Sequence, residues 1–360
     1  MTSDGLVATA QALVGGGRGL LAIDESVPTC NTRFADAGID QTEETRRRYR
    51  ELLITTPHLA ECISGVILHD ETIRQGKRDG TSFLQVLADA GIIPGIKVDT
   101  GARPLALHPS EMVTEGLDGL RGRLQEYSAL GARFAKWRAV FPVGVRSPTA
   151  CGVEANAHAL GRYAALCQEA NLVPVIEPEV LMTGTHTMAR CGEITRHVLC
   201  SVFEQMHRQG VRLDGLVLKV NMVLPGLDSP PAEPVTMQEV ADATLACLLE
   251  MVPPAVAGIV FLSGGQSCER ASARLNALNR QTAFARARIP WSLGFSYARA
   301  IQQPALHIWG GLEANVGAAQ QAVSHRAACN RAALRGDYDA AMEQPGYGTP
   351  GSVRVKQQAH

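Results

Sequence analysis

The sequence lacks the features that mark several large classes of protein. Lys and Arg number 34 against 35 Asp and Glu, so the formal net charge is −1 and neither sign is in excess. A basic field that would attract nucleic acid or an anionic membrane is therefore missing. No apolar run approaches the roughly 18 residues that a membrane-spanning helix needs. We expect neither a nucleic-acid nor a membrane partner, and an anionic substrate must be attracted by a local site.

Paired cysteines and a leader sequence are also missing. The nine cysteines are scattered singly, and no C-x-x-C pair occurs. An odd number of isolated thiols is typical of a reduced cytosolic protein. Residues 1–19 contain Asp4 and closely spaced glycines instead of the charged-then-apolar profile of a signal peptide. These features predict a cytoplasmic protein.

Common metal and nucleotide motifs do not occur. The ten histidines show no H-E-x-x-H or comparable ligand spacing, and only His69 lies at a predicted strand end. There is no G-x-x-x-x-G-K-[ST] motif, and no G-x-G-x-x-G follows the first predicted strand. We therefore predict neither a catalytic metal nor a cofactor.

Short apolar runs, repeated along the chain, dominate what is present. Runs of this length are typical of strands buried on both faces, and helical patterns lie between them. Eight strands alternating with helices predict an α/β protein, a closed (β/α)₈ TIM barrel with additional helices, while a doubly wound open sheet is the structural alternative. The predicted strands are 19–24, 64–70, 95–100, 133–139, 173–179, 215–222, 257–265 and 291–297. The clearest helical patterns are 42–54, 114–130, 154–170, 185–209 and 236–251.

The end of the chain has a different composition. From about Glu343 it becomes rich in Gly and Pro (QPGYGTPGS) and then polar. We predict a single barrel domain over 1–342 and a mobile C-terminal tail over 343–360.

Polar residues lie late in most of the predicted strands. In a parallel barrel the active site is at the carboxyl ends of the strands, so these residues are the candidates for chemistry. Residues two apart on a strand point to the same face and can project together into the barrel mouth. The candidates are Asp24, Lys97 with Asp99, Lys136 with Arg138, Glu177 with Glu179, Lys219 with Asn221, and the S-G-G turn at 263–265.

Lys219 is the strongest single signal. It interrupts the apolar run LVLKVNMVL, where an unpaired ammonium is costly to desolvate. Burial can lower a lysine pKa by up to about 3–5 units and so produce a neutral amine that attacks a ketone. A structural lysine paired with a carboxylate is the alternative.

The acidic residues are candidates for proton transfer. Glu177 suits a general acid/base, because forming and dehydrating a carbinolamine needs a carboxyl group that changes protonation state. Its neighbour Glu179 raises the pKa of at least one of the two, and Lys136 lowers one, so the cluster can hold carboxyls of different protonation. Asp24 could act as a base at a substrate hydroxyl. The alternative for each acid is an ion pair with an inward lysine.

Two separate regions have the chemistry of phosphate sites. The S-G-G turn at 263–265 lets backbone N–H groups approach an anion, and Arg299 follows the last predicted strand. Barrels often hold phosphate in this region. Lys97, Ser26 and Thr29 form a second candidate on the other side of the mouth. Two such sites around a lysine nucleophile indicate a doubly phosphorylated sugar.

The basic run Arg46-Arg47-Arg48 with Arg50 lies on a predicted helix among glutamates. We interpret it chiefly as a solvated face carrying ion pairs.

In these segments the sequence closely resembles the class I fructose-bisphosphate aldolases. The resemblance covers nearly the whole chain, and it implies a (β/α)₈ barrel that usually assembles as a homotetramer. It also implies metal-independent, reversible cleavage of fructose 1,6-bisphosphate to dihydroxyacetone phosphate and glyceraldehyde 3-phosphate, in glycolysis and gluconeogenesis. The most specific matching strings, in order, are LLAIDES (20–26), RFAKWRAV (133–140), VPVIEPEVL (173–181), LVLKVNMVLPG (216–226) and VFLSGGQS (260–267).

The resemblance assigns roles to individual residues. Lys219 matches the Schiff-base lysine, and Glu177 matches the acid/base of the carbinolamine steps. Lys136 matches a charged residue that supports proton transfer, and Asp24 matches the acid at the C4 hydroxyl. The matches around phosphate are Ser263, Gly264 and Arg299 for the C1 phosphate, Ser26, Thr29, Arg33 and Lys97 for the other phosphate, and Arg138 and Glu179 in a supporting position.

Three positions depart from the family pattern. Its basic pair after the first strand is here Thr32-Arg33, so one cation is missing from the second phosphate site. The glycine before the phosphate arginine is Ala298. Animal members end in a tyrosine that assists proton exchange, whereas this chain ends in His360, with Tyr347 as a candidate substitute. The preference between fructose 1,6-bisphosphate and fructose 1-phosphate stays open.

Other functions are compatible with an inward lysine. One alternative is a different Schiff-base barrel enzyme, such as a transaldolase-like or pyridoxal-phosphate lysine enzyme. Another is a barrel scaffold with a protein-binding role.

Overall fold

The computed structural model describes residues 3–229, 235–285 and 289–344. The strands are β1 Gly19–Ala22, β2 Ile63–Leu68, β3 Ile93–Lys97, β4 Gly101–Pro104, β5 Met112–Glu115, β6 Phe134–Phe141, β7 Val173–Val180, β8 Val217–Val220, β9 Gly258–Phe261 and β10 Ser292–Tyr297. The helices are α1 Ser3–Val14, α2 Val27–Asp36, α3 Glu43–Ile54, α4 Asp70–Ile73, α5 Phe83–Asp89, α6 Leu120–Leu130, α7 Ala150–Glu169, α8 Met188–Arg208, α9 Met237–Met251, α10 Cys268–Ala285, α11 Arg299–Trp309 and α12 Val316–Arg335. Short 3₁₀ turns lie at Leu59–Glu61, Leu213–Gly215, Glu313–Asn315 and Ala340–Glu343.

Eight of the strands form a closed parallel barrel. Their order around the ring is β1-β10-β9-β8-β7-β6-β3-β2, and β4 and β5 form a separate antiparallel pair. Each predicted strand overlaps one barrel strand, so the TIM-barrel prediction is confirmed and the open sheet is excluded. The carboxyl ends of all eight strands therefore meet at one mouth.

The amino end of the barrel is filled with apolar side chains. Alternate residues of the strands, such as Ile67, Phe134 and Val260, pack with Leu13 and Val14 of α1 in one buried cluster. The Ser64 hydroxyl ties this helix to the barrel by donating to the Leu13 carbonyl at 2.6 Å. Apolar side chains therefore close the amino end of the barrel, and the inward-pointing polar side chains lie at the carboxyl end.

One helix prediction is partly wrong. The pattern 114–130 begins inside β5, and helix α6 starts only at Leu120. Gly116 and Gly119 have φ of 124° and 66°, so the backbone turns between the strand and the helix. The other predicted helices occur, and α3 and α9 begin after the caps Thr42 and Thr236.

The interpretation of the basic run on α3 is wrong for two of its residues. Arg46 and Arg50 are buried and lie in ion pairs with Glu71 and Glu25. Residues four apart share one helix face, and here that face is turned toward the barrel. Arg47 and Arg48 do pair with glutamates at the surface, as expected.

The remaining expectations concern thiols, membranes and the tail. All nine cysteines are free thiols. In the ranges that the structure describes, no helix is long and apolar enough to cross a membrane. Most of the predicted tail, including Tyr347, lies outside the described residues, so the division of the chain at residue 342 stays a prediction.

Candidate active site

Four buried charged residues occupy the centre of the barrel mouth. Asp24 follows β1 by two residues, and Lys136, Glu177 and Lys219 lie in β6, β7 and β8. Their exposed fractions are 8%, 4%, 3% and 4%. The strand period of two explains this position, because Ala22, Phe134, Val175 and Val217 lie in the interior cluster two residues before them.

These four residues form a continuous chain of ion pairs. Lys219 Nζ lies 2.8 Å from Glu177 Oε1, and Lys136 Nζ lies 2.9 Å from Glu177 Oε2. Lys136 Nζ also lies 2.7 Å from Asp24 Oδ2. The structure therefore brings together all four predicted catalytic residues. Two lysine side chains alternate with two acidic side chains along this chain.

The pairing governs the protonation of the acids. Burial by itself raises the pKa of Asp24, but Lys136 and Lys219 outweigh it and hold the pKa below the usual value. Burial also opposes ionisation of Glu177, and again Lys136 and Lys219 lower its pKa. Burial disfavours the Lys136 ammonium, yet Asp24 and Glu177 raise its pKa. Both acids are therefore carboxylates at neutral pH.

Lys219 is paired and not an isolated ammonium. Its contact with Glu177 offsets the cost of burying a charge. A purely structural lysine would also need such a carboxylate partner, so this pair alone does not separate the two interpretations of Lys219. What distinguishes the site is that Glu177 is shared by a second lysine at nearly the same distance. A carboxylate in contact with the Lys219 amine can accept a proton from it without leaving its place.

A second set of pairs surrounds this centre. Lys97 Nζ lies 2.5 Å from Asp99 Oδ1, and Arg138 Nε lies 2.5 Å from Glu179 Oε2. Asp99 also accepts a hydrogen bond from the backbone N–H of Arg138 at 3.2 Å. Asp99 was visible as a strand-end residue but carried no predicted role. It links β3 and β6 at the mouth and holds the Lys97 side chain.

The S-G-G turn after β9 has a backbone conformation that favours glycine at two positions. Gly264 and Gly265 have φ of 55° and 88°, a region that favours glycine. A Cβ on Gly264 would lie 2.4 Å from Met182 Cε, and one on Gly265 would lie 3.6 Å from Arg299 Nη2. Arg299 is exposed, and no carboxylate pairs with it in the described part of the chain. The predicted turn and arginine are therefore close together.

In the described structure, the residues of the second predicted phosphate region are not all joined to one another by hydrogen bonds. Ser26 precedes α2, and its hydroxyl lies 3.0 Å from that of Thr29 without capping the helix. Arg33 lies in an ion pair with Glu25, and Lys97 contacts Asp99. No hydrogen bond joins Lys97 to either hydroxyl among the described residues.

Glu25 organises the second predicted phosphate region, and the sequence analysis did not identify it. Glu25 lies 2.9 Å from Arg50 Nη1 and accepts from Gln302 Nε2 at 2.8 Å, in addition to its pair with Arg33. Burial raises the pKa of Glu25, and Arg50 and Arg33 outweigh it and lower the pKa. Its only sequence signal was its place directly after Asp24. Arg50 was signalled by its spacing of four from Arg46.

The fold and this site together define a class of protein. It is a parallel-barrel protein whose mouth holds a buried lysine against a shared carboxylate, with a glycine-containing turn and an exposed arginine beside it.

Comparison with known proteins identifies the family. The sequence profile of the family described as fructose-bisphosphate aldolase class-I matches residues 5–357. A probable fructose-bisphosphate aldolase class 1 of Xanthomonas campestris is 52% identical over 94% of this chain and 99% of its own. The cytosolic fructose-bisphosphate aldolase 6 of Arabidopsis thaliana is 45% identical over 98% of this chain and 97% of its own. The chain belongs to the class I fructose-bisphosphate aldolases.

A solved structure agrees with the sequence relatives. The fructose-bisphosphate aldolase of Plasmodium falciparum, in complex with TRAP and a small-molecule inhibitor, superposes with a TM-score of 0.89 at 42% identity, covering 93% of this chain and 95% of that one. The chain is accordingly a carbon–carbon lyase of this class, which cleaves fructose 1,6-bisphosphate through a lysine Schiff base. The transaldolase-like, pyridoxal-phosphate and inert-scaffold alternatives are set aside.

Proposed function

We propose that Lys219 forms the Schiff base with C2 of fructose 1,6-bisphosphate, and that Glu177, Lys136 and Asp24 handle the protons of the reaction. The observation that carries this proposal is the unbroken chain of ion pairs from Lys219 through Glu177 and Lys136 to Asp24, at 2.7–2.9 Å. Each step of the reaction then finds its proton donor or acceptor beside it.

In the first half of the reaction, Lys219 passes a proton to Glu177 and attacks the C2 carbonyl as a neutral amine. Glu177 returns the proton to the carbinolamine hydroxyl, which leaves as water. The product is a protonated imine at Lys219, and its positive charge replaces that of the ammonium. The total charge of the buried site is therefore conserved while the covalent bond forms.

In the second half, Asp24 takes the proton of the C4 hydroxyl. The C3–C4 bond breaks, its electron pair passes to the imine to give an enamine, and glyceraldehyde 3-phosphate leaves. The enamine is then protonated at C3 and Asp24 releases the proton that it took, so the charges balance. Water hydrolyses the restored imine to give dihydroxyacetone phosphate and free Lys219. Lys136 keeps Asp24 ionised, because it lowers the pKa of that carboxyl, so the base is ready at neutral pH.

The two phosphates are assigned to opposite sides of the mouth. We place the C1 phosphate on the backbone of Ser263 and Gly264 and on Arg299, whose guanidinium has no carboxylate partner in the described structure. We place the other phosphate near Ser26, Thr29, Arg33 and Lys97. Arg33 and Lys97 would exchange their carboxylate contacts for phosphate contacts. Arg138 and Glu179 support the wall between β6 and β7.

We further propose a cytoplasmic homotetramer with sugar phosphate as its ligand. The Arabidopsis relative is named cytosolic, which supports the location. Light scattering should give a mass about four times the 38.4 kDa of one chain. A mass of one chain would refute the tetramer without affecting the chemistry.

Lys219→Arg tests the central assignment, with Lys77→Arg at the surface as the matched control. Because arginine keeps the charge but cannot form the imine, cleavage of fructose 1,6-bisphosphate should fall by at least about a thousandfold. The control should keep wild-type activity. Full activity of Lys219→Arg in buffer with EDTA would show that the nucleophile is elsewhere.

A further inference from the structure

His69 occupies a place in the barrel mouth to which no role has been assigned. It directly follows β2, in which Ile67 points into the barrel interior, so the period of two turns His69 inward as well. Ala22 is paired with Ile67, and Leu68 is paired with Ile96. Continuing this register puts His69 beside Asp24 on one side and Lys97 on the other.

The strand order places His69 opposite the proposed nucleophile. β2 and β8 are four strands apart in either direction around the ring of eight. His69 therefore lies across the mouth from Lys219. A sugar held at C2 by Lys219, with its C1 phosphate toward β9 and β10, directs its remaining carbons toward the β1–β2–β3 side. His69 belongs to that side.

The tautomer of His69 is set by its own helix. Its Nδ1 accepts a hydrogen bond from the backbone N–H of Glu71 at 3.4 Å, at the start of α4. A neutral imidazole that accepts at Nδ1 carries its proton on Nε2. No described residue hydrogen-bonds to Nε2, and the side chain is half-buried. The Nε2–H group therefore has no protein acceptor among the described residues and can donate a hydrogen bond to a ligand.

The surroundings favour an anionic acceptor. Burial, followed by Lys97 and Arg50, lowers the pKa of His69, while Asp24 and Asp70 oppose the shift. The imidazole is therefore neutral at physiological pH and sits in a field in which two cations dominate. An oxygen that carries negative charge is stabilised there, and a neutral N–H can donate to it without adding charge.

We propose that His69 is a further substrate-binding residue, whose Nε2–H donates a hydrogen bond to the C6 phosphate of fructose 1,6-bisphosphate. The proposal rests on the assignment of this side of the mouth to the second phosphate. It adds a preformed donor to a region where Lys97 and Arg33 are both engaged with carboxylates.

The test uses variants that separate the two ring nitrogens. His69→Asn keeps an acceptor for the Glu71 N–H but removes the distal donor, and His69→Ser does the same with a smaller side chain if the first variant folds poorly. His69→Gln retains an N–H near the position of Nε2. His158→Asn, at an exposed position of α7, is the matched control.

Steady-state kcat and KM are measured with fructose 1,6-bisphosphate and with fructose 1-phosphate, which lacks the C6 phosphate. His69→Asn should raise KM for the bisphosphate about tenfold, as expected for one lost hydrogen bond to a charged group, with kcat nearly unchanged. KM for fructose 1-phosphate should change less than about twofold. His69→Gln should recover most of the loss, and the His158 control should match wild type.

Unchanged KM for both substrates in His69→Asn or His69→Ser would overturn the proposal. An equal rise for both substrates would also overturn it, because the contact would then be to a group that the two sugars share. Borohydride trapping of dihydroxyacetone phosphate at Lys219 is measured in parallel. If wild type itself fails to trap, the proposed function fails. If wild type and all variants trap equally, the kinetic result tests His69 alone.

Discussion

Lys136 offers the most quantitative test of the ion-pair chain. Its ammonium is 4% exposed and lies within 2.9 Å of both Asp24 and Glu177. Lys136→Met removes the charge and keeps most of the side-chain volume. Glu177 then keeps only its ion pair with Lys219, and Asp24 has no ion-pair partner among the described residues. Breaking a buried ion pair in this way costs about 3–5 kcal/mol of unfolding free energy, far above the median cost of a surface substitution.

The loss should depend on pH, with a definite sign. In the wild type, Asp24 and Glu177 have folded-state pKa values below their ordinary values of 3.8 and 4.5. Their contribution to stability is therefore present above those values and lost as the pH falls through the lower folded-state pKa. Without Lys136, burial and mutual repulsion raise at least one pKa above its unfolded value. The variant is then destabilised at neutral pH and is relieved of part of that penalty as the pH falls toward about 5.

Urea unfolding at neutral pH and at about pH 5 measures both effects, at one fixed chain concentration. Lys77→Met is the control, because Lys77 is a surface residue paired with Asp79. We expect the difference between wild type and Lys136→Met to shrink by more than about 1 kcal/mol on acidification. A difference below about 1 kcal/mol at neutral pH, or one that does not change with pH, would refute the claim that Lys136 compensates two buried carboxylates.

Three further predictions concern the same mouth. Asp24→Asn should lower kcat for cleavage by about 10²–10⁴-fold. Borohydride trapping of dihydroxyacetone phosphate at Lys219 should persist, because that ligand has no C4 hydroxyl. Loss of trapping would contradict the role assigned to Asp24. Arg299→Ala should weaken dihydroxyacetone phosphate binding by about 10–100-fold, measured by the ligand dependence of trapping, and an unchanged affinity would exclude it from the C1 site. Gly264→Ala should lower the melting temperature and phosphate affinity, because its φ is 55° and a Cβ would meet Met182; wild-type values in both assays would show that the turn tolerates a side chain.

The fold was largely predictable because the barrel imposes a strong pattern on the sequence. Strands buried on both faces must be continuous apolar runs, and runs such as 173–179 and 291–297 match their strands within one residue. The apolar pattern did not predict the β4–β5 pair. Its strands are short and half exposed, and the V-T pair of β5 merges with the amphipathic pattern of the following helix.

The position of the site was predictable, but its pairing was not. Strand-end position placed Lys219, Glu177, Lys136 and Asp24 at one mouth, because parallel strands end on the same side. Which lysine meets which acid depends on the stagger of neighbouring strands, and sequence does not fix that stagger. The role of Glu25 escaped for a related reason, since its partners Arg50 and Gln302 come from distant segments.

The central claim is that Lys219 is the covalent nucleophile, and borohydride reduction in the presence of dihydroxyacetone phosphate tests it most directly. The reaction is run with EDTA in the buffer and is followed by peptide mass mapping, with Lys219→Arg as the comparison. We predict one reduced adduct on the peptide that contains Lys219, and none in the variant. A folded, active protein that forms no adduct, or that forms it at another lysine, would contradict the account.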